Sequence, residues 1–364
     1  ENMNKRDLLR WAVSTAGVCA APVLATPGKA YRLTVAAVHP TTTPWVKLIA
    51  EQFVPEVRER VASLGPGWSV EWSEFYGGQL YKMNASLTSV ADGIADIGWV
   101  LAASEASRLP LAQFSAAMPF ACTDLRVVLD TINELNATIP DLAAEWERNG
   151  LVFLGANATD SYHLFTKQPA SGYADLRGRR ISAPGALALW LQGSNAVAVD
   201  GALSTYYTDI QTGVSDGALT IASGALPLRI HEVAPHVSLV DLGCFFGGGL
   251  AMNKKRFDAM PKEVQHILRE AGQRYSVEVG KLVAQRYEDS LQALQAPRSG
   301  GAPVTVRRWS DAERVQWARN LPRLATDWVG LQRSPAAARN IVRAYMNGLR
   351  RRGAKPLRDW DREL

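Results

Sequence analysis

Asn157-Ala-Thr-Asp-Ser-Tyr-His-Leu-Phe165, followed by Asp175-Leu-Arg-Gly-Arg-Arg-Ile-Ser-Ala-Pro184 and Tyr207-Thr-Asp-Ile-Gln-Thr-Gly-Val-Ser-Asp-Gly217, decides how this chain folds. Short polar turns sit against short apolar runs, the pattern of strand ends and helix starts that converge on a cleft. Ser161–Lys167 and Arg179–Ala183 read as strands, and Leu187–Gly193 as a helix after Pro184-Gly185. Val197–Val199 is short enough for an interior strand, and Ser204–Thr212 is a helix stopped by Gly213. The residue types suit a cleft that holds a molecule rather than one that transforms it.

Upstream, Tyr31–Val38 is rich in β-branched and apolar residues and predicts a first strand. Trp45–Val61 has helical spacing, which Pro55 bends or divides. Trp68–Phe75 alternates by two as a second strand, and the glycine-rich Tyr76–Tyr81 leads into a helix over Asn84–Val90. A turn and strand follow over Ala91–Leu101, a loop with short helical turns over Arg108–Met118, helices over Asp124–Leu135 and Pro140–Gly150, and an apolar strand over Leu151–Ala156. Downstream, Gly217–Leu226, Val237–Leu242 and Phe245–Asn253 return across the cleft. A single amphipathic helix then runs from Pro261 to about Ala296, long enough to brace two lobes, and Asp311–Trp328 and Pro335–Gly348 are terminal helices. Alternation of strand and helix predicts an α/β fold with helices on both faces of each sheet.

With 364 residues, 47% of them hydrophobic and 21% charged, the chain is sized for two globular lobes. Its net charge of +5 comes with a concentration of arginine after residue 298, interleaved with acids and with Trp309, Trp317 and Trp328. Helices with a basic solvated face fit this pattern better than the continuous basic stripe that nucleic acid demands. Lys5 and Arg6 precede the apolar run Trp11–Ala25, which ends in Val23-Leu24-Ala25 at the spacing of an export cleavage site, so residues 1–29 read as a signal peptide and leader. The body of the chain is expected in the periplasm. Cys122 and Cys244 have no metal-ligand spacing and read as two buried thiols, with one bridge as the alternative.

Phe75-Tyr-Gly-Gly-Gln-Leu80, Asp92-Gly-Ile-Ala-Asp-Ile-Gly98, Asp175-Leu-Arg-Gly-Arg-Arg-Ile181, Gln211-Thr-Gly-Val-Ser-Asp-Gly217 and Asn253–Ala271, in that order and spacing, resemble the DctP family, the periplasmic solute receptors of TRAP transporters. The resemblance runs from about Tyr31 to Leu294. It implies a two-lobed periplasmic binding protein fold with strand crossovers and a long bracing helix, residues 30–157 with about 245–280 forming one lobe and 158–244 with about 281–364 the other. It also implies a monomer that closes on a small organic ligand and hands it to the membrane subunits of a TRAP permease driven by a sodium gradient. The tail after residue 298 is longer than the family leads one to expect.

Where the family usually carries an arginine for a ligand carboxylate, counted from Asp175, this chain has Ser182. A second arginine position of the family falls at Tyr162, the acidic residue before the Tyr207 helix is Thr205, and the asparagine after Asp216-Gly217 falls near Thr220. A hydroxyl replaces neither the charge nor the forked geometry of a guanidinium. Two ligand classes stay open: a neutral or weakly acidic molecule, aromatic or largely apolar, or an organic acid anchored by a relocated cation, with Arg180, Lys167 and Arg229 as candidates. Trp99, Tyr162, Trp190, Tyr206, Tyr207 and Phe246 are candidate stacking residues, each equally well placed as core. Gln79, Asn157, Ser182, Thr205 and Thr220 are candidate hydrogen-bond partners, while His39 and His163 read as structural or rim residues. Asp209 and Asp216 suit helix capping better than a metal, and no metal or cofactor is expected. The sequence carries no Gly-x-Ser-x-Gly elbow, His-Glu-x-x-His motif or nucleotide-binding glycine run, so a periplasmic enzyme or a sensor partner on the same fold is the lesser expectation.

Overall fold

The computed structural model describes residues 29–297 and 303–364; the export segment lies outside the described residues. The strands are β1 (Ala30–Ala36), β2 (Ser69–Phe75), β3 (Ile97–Val100), β4 (Leu151–Ala158), β5 (Tyr162–Thr166), β6 (Arg180–Ala183), β7 (Val197–Asp200), β8 (Gly217–Ile221), β9 (His236–Leu239), β10 (Phe246–Asn253) and β11 (Thr305–Arg308). They form a five-stranded sheet in the order β2-β1-β3-β10-β4 and a six-stranded sheet in the order β11-β9-β5-β8-β6-β7. Both sheets are mixed: β10 runs antiparallel to β3 and β4, and β5 antiparallel to β8 and β9, among otherwise parallel pairs. The chain crosses from the first sheet to the second between β4 and β5 and back between β9 and β10. Each sheet with its packed helices is one lobe.

β7 departs from the expected interior strand. It is the edge of the second sheet, paired among the described residues with β6 alone, which leaves Val197 52% exposed. The expected helix after Pro184 is a run of 3-10 turns, Gly185–Leu191. Pro55 divides the first helix as expected. A π-helical turn, Ile49–Phe53, joins Pro44–Leu48 to Val54–Ala62, since proline offers no N–H to the carbonyl four residues back.

The long helix, Lys262–Gln295, spans about 50 Å at the usual rise per residue. Leu268, Ala271, Tyr275 and Val279 pack in the core of the first lobe, and Leu291 and Leu294 in a separate core with Phe165, Ala218 and Val237 of the second. Its register on β4 depends on two glycines, because the Gly155 backbone lies directly against the Gly272 carbonyl. Asn133 and Ser276 lock the same contact, with Ser276 Oγ donating to the Ala156 carbonyl and Asn133 Oδ1 accepting from the Ala156 N–H.

Arg307, Arg319, Arg333 and Arg343 of the tail are exposed, while its last arginines act as staples. Arg350 pairs with Asp359 and Asp361, Arg351 and Arg352 with Glu134, and Arg358 with Glu363. Cys122 and Cys244 are free thiols, the second buried and the first half-buried. Among the described residues no helix is long and apolar enough to cross a membrane.

Candidate functional site

In sheets of this kind ligands collect beyond the strand ends where chain direction diverges. In the first lobe those ends carry an aromatic wall. His39 follows β1, Trp45 opens the next helix and Trp99 lies on β3. The two indoles stack at 6.0 Å, and the His39 ring meets each of them edge-on at 5.2 Å. Trp45 Nε1 donates to His39 Nδ1 at 3.1 Å, which requires an imidazole with Nδ1 unprotonated. Burial lowers the His39 pKa and keeps the ring in that neutral form. The wall is fastened to the long helix by Tyr275, whose hydroxyl donates to the Trp45 carbonyl at 2.9 Å.

Among the described residues, two polar atoms at this end of the sheet have no partner. Trp99 Nε1 is a buried donor and Asn157 Oδ1 a buried acceptor. Leu250 opposes both Trp99 and Gly155, and Gly248 opposes Asn157, so the register puts Trp99 and Asn157 on the same face, the one beneath the long helix. In the second lobe Ser182 Oγ is a third such orphan, its residue 0% exposed. Ser182 opposes Ala218, and Thr220 follows Ala218 by two on β8, so these hydroxyl residues also share a face. Buried polar groups are nearly always satisfied, and unsatisfied ones at a cleft mark where a ligand atom belongs.

The other residues expected at the site are placed differently. Tyr162 and Trp190 sit on the opposite face of the second sheet, 5.5 Å apart edge to face, and Trp190 Nε1 donates to the Ala116 carbonyl at 2.7 Å. Arg180 is committed to Asp216 through three hydrogen bonds and to the Gly213 carbonyl through a fourth. Lys167 donates to the Ile210 carbonyl, and Arg229 pairs with Glu232 on the surface. Thr205 donates to Asp209, Gln79 is exposed and Tyr207 half-buried at the rim. Sequence reasoning missed Trp45 as a wall residue and Arg286, whose guanidinium donates to the Thr42 carbonyl at 3.0 Å and forms no ion pair among the described residues. The signal for Trp45 was its place just after the His39-Pro40 strand end; Arg286 carried none, because the long helix brings it there from far along the chain.

A cavity of about 600 Å³ lies on the hinge, lined by Asp160, Asp241, Tyr287, Arg308 and neighbours from the long helix. His163 is fully buried beside it, its Nδ1 accepting from the Asp241 N–H and its Nε2 bonded to the Tyr287 hydroxyl at 2.9 Å. Burial pushes His163 down to about 4, so it is neutral and its contact with Asp241 is no ion pair. Asp160 accepts from the hydroxyl and N–H of Ser223 across the hinge, and burial still raises its pKa from 3.8 to about 6. Since the folded carboxyl keeps its proton to higher pH than the unfolded one, its stabilising contribution is complete below about pH 4 and is lost as pH rises to about 6. Denaturant titrations from pH 4 to 7 should show the wild type losing up to about 3 kcal/mol relative to Asp160→Asn; parallel pH profiles would contradict the assignment.

Two α/β lobes joined by strand crossovers and a spanning helix thus carry an aromatic wall and, among the described residues, unpaired polar atoms near their strand ends. Residues 35–328 match the DctP model, bacterial extracellular solute-binding protein family 7, and the chain belongs to that family. It is therefore a binding protein and not an enzyme. A solute-binding protein of Sulfitobacter sp. strain NAS-14.1 is 26% identical over 204 residues, 54% of this chain and 59% of that one. The fold is shared with a TRAP periplasmic solute-binding protein of Desulfovibrio salexigens in an open complex (TM-score 0.72, 21% identity, 88% of this chain and 95% of that one). It is shared too with an extracytoplasmic solute receptor of Bordetella pertussis that binds pyroglutamic acid (TM-score 0.70, 19% identity, 86% and 99%). A third, from Sulfitobacter sp. NAS-14.1, holds β-D-galacturonate (TM-score 0.67, 19% identity, 86% and 99%).

Proposed function

We propose that this protein is the periplasmic receptor of a TRAP transporter, closing on a small ligand that is aromatic or largely apolar and neutral or weakly acidic, and delivering it to the permease. The observation that carries the ligand class is the pairing of the His39–Trp45–Trp99 wall with Ser182 at the position where the family's arginine is expected. An indole surface binds a flat apolar body, while Trp99 Nε1, Asn157 Oδ1 and Ser182 Oγ offer a donor, an acceptor and a hydroxyl to its polar edge. Arg180 is committed to Asp216 and Arg229 is ion-paired with Glu232, while Lys167 spends one of its three donors on the Ile210 carbonyl. The test is mass spectrometry of the small molecule released when the purified protein is unfolded, with a thermal-shift series of neutral aromatics and carboxylates beside it.

A second reading, an organic acid, is favoured by the galacturonate and pyroglutamate held by similar folds. On that reading the anchor is Arg286, which keeps most of its donors after serving Thr42. If a carboxylate co-purifies, Arg286→Gln should weaken its binding at least tenfold in calorimetry, as loss of a charge-assisted pair does. Unchanged affinity in that variant would remove Arg286 from the site.

A further inference from the structure

We propose that the carboxy-terminal segment is a second brace between the lobes, acting on the face of the hinge opposite the long helix. Helix Asp311–Asn320 belongs to the second lobe: its Glu313 accepts from the Tyr173 N–H, and Trp317 Nε1 donates to the Trp190 carbonyl at 3.0 Å. After Leu321 the chain passes to the first lobe. Helix Leu324–Gly330 rests on the turn Leu111–Ala117, and helix Pro335–Arg351 packs on Leu125–Thr138, with Tyr345 against Phe114 at 5.0 Å. This is a crossing additional to the two strand crossovers and the long helix.

The seam under that crossing is apolar and hydrogen-bonded at once. Trp190 reaches from the second lobe to the Ala116 carbonyl of the first, and Trp317 lies 5.9 Å from Phe120 of the first lobe and 5.9 Å from Tyr173 of the second. On the first-lobe side, Trp360 donates to the Pro119 carbonyl at 2.8 Å. Trp190, Trp317 and Trp360 are each 0% exposed. The two braces hold opposite faces. On β5, Phe165 packs with Leu291 and Leu294 of the long helix, whereas Tyr162, of opposite parity, meets Trp190. In the first lobe Gly155 faces Gly272, whereas Phe246 and Phe114 stack on the other side at 6.1 Å. Lobes pinned on both faces cannot part there without exposing indole surface and stranding buried N–H and carbonyl groups. Opening is thereby confined to a rotation that keeps the tryptophan seam closed.

The test places spin labels on unnatural amino acids at exposed Ser73 and Thr208, one in each lobe, and reads their distance distribution by pulsed electron resonance in the ligand-free protein. Trp317→Ala should broaden the distribution and extend it to longer distances. Met346→Ala, a cavity in the tail helix buried within the first lobe alone, should leave it in place. An unaltered distribution in Trp317→Ala, or an equal change in Met346→Ala, would overturn the proposal. Should Trp317→Ala fail to fold, Trp190→Phe decides: it keeps a ring and drops the donor that crosses to the Ala116 carbonyl, so distances beyond the wild-type range should become about fivefold more populated, and no rise counts against the brace.

Discussion

Trp45→Ala should weaken binding of the co-purified ligand by about 10- to 100-fold, which is what removal of one large aromatic contact from a desolvated site produces. The residue is half-buried, so the fold should survive its loss. Three contacts go with it: the 6.0 Å stack on Trp99, the edge contact with His39 and the Nε1–Nδ1 hydrogen bond. Trp45→Phe separates them, because phenylalanine keeps a stacking face and has no N–H. If stacking dominates, Trp45→Phe retains most of the affinity. If the indole chiefly holds His39, both variants fall together. Isothermal titration of the two variants gives the answer, with circular dichroism confirming their fold. The pairing with Arg286→Gln discriminates the two ligand classes. An aromatic or apolar ligand loses affinity at Trp45 and is indifferent at Arg286, whereas an organic acid shows the reverse order.

The scaffold was legible because its signals are local. β-Branched runs at Tyr31–Val38 and alternation at Trp68–Phe75 mark strands within two residues of β1 and β2, and the apolar period from Pro261 marks the long helix almost to its ends. Val197–Val199 misleads for a physical reason: a short apolar run looks the same whether its outer face is covered by a strand or by nothing. The site was only half legible. Trp99, Asn157, Ser182 and Thr220 sit near strand ends that periodicity locates, so their shared faces follow from parity once the register is known. Tyr162 lies equally near a strand end, yet parity turns it away to meet Trp190 of the 3-10 run, and only the pairing of β5 with β8 and β9 reveals it. Arg286 was invisible, since nothing in a helical repeat tells which of its turns passes a loop some 244 residues away. Of the tail tryptophans, Trp309 proved to donate to the Ala170 carbonyl and Trp317 to the Trp190 carbonyl, roles set by tertiary contact alone.

Gly155→Ala should cost about 3 kcal/mol, at the upper end of what overpacking a core does, and Gly155→Val should yield no soluble folded protein. A Cβ at 155 would overlap the Gly272 carbonyl oxygen of the long helix, and backbone cannot move aside as a side-chain tip can. The reciprocal change is equally barred, since a Cβ at Gly272 would stand 2.5 Å from the Leu154 carbonyl oxygen. The consequence reaches the binding site along a short path. Pushing the helix off β4 strains the Ser276–Ala156 bond and shifts Tyr275, whose hydroxyl holds the Trp45 backbone. The aromatic wall would then lose its anchor, so Gly155→Ala should bind ligand more weakly than its stability alone explains. Gly247→Ala is the control, because no heavy atom lies within 4 Å of a Cβ built there and its backbone is of ordinary hand. Urea titration and calorimetry on both variants give the comparison. If Gly155→Ala proves as benign as Gly247→Ala, the long helix does not rest on β4 in solution and the wall is held by the first lobe alone. If Gly155→Ala is destabilised yet binds as the wild type does, the Tyr275–Trp45 link carries no binding energy.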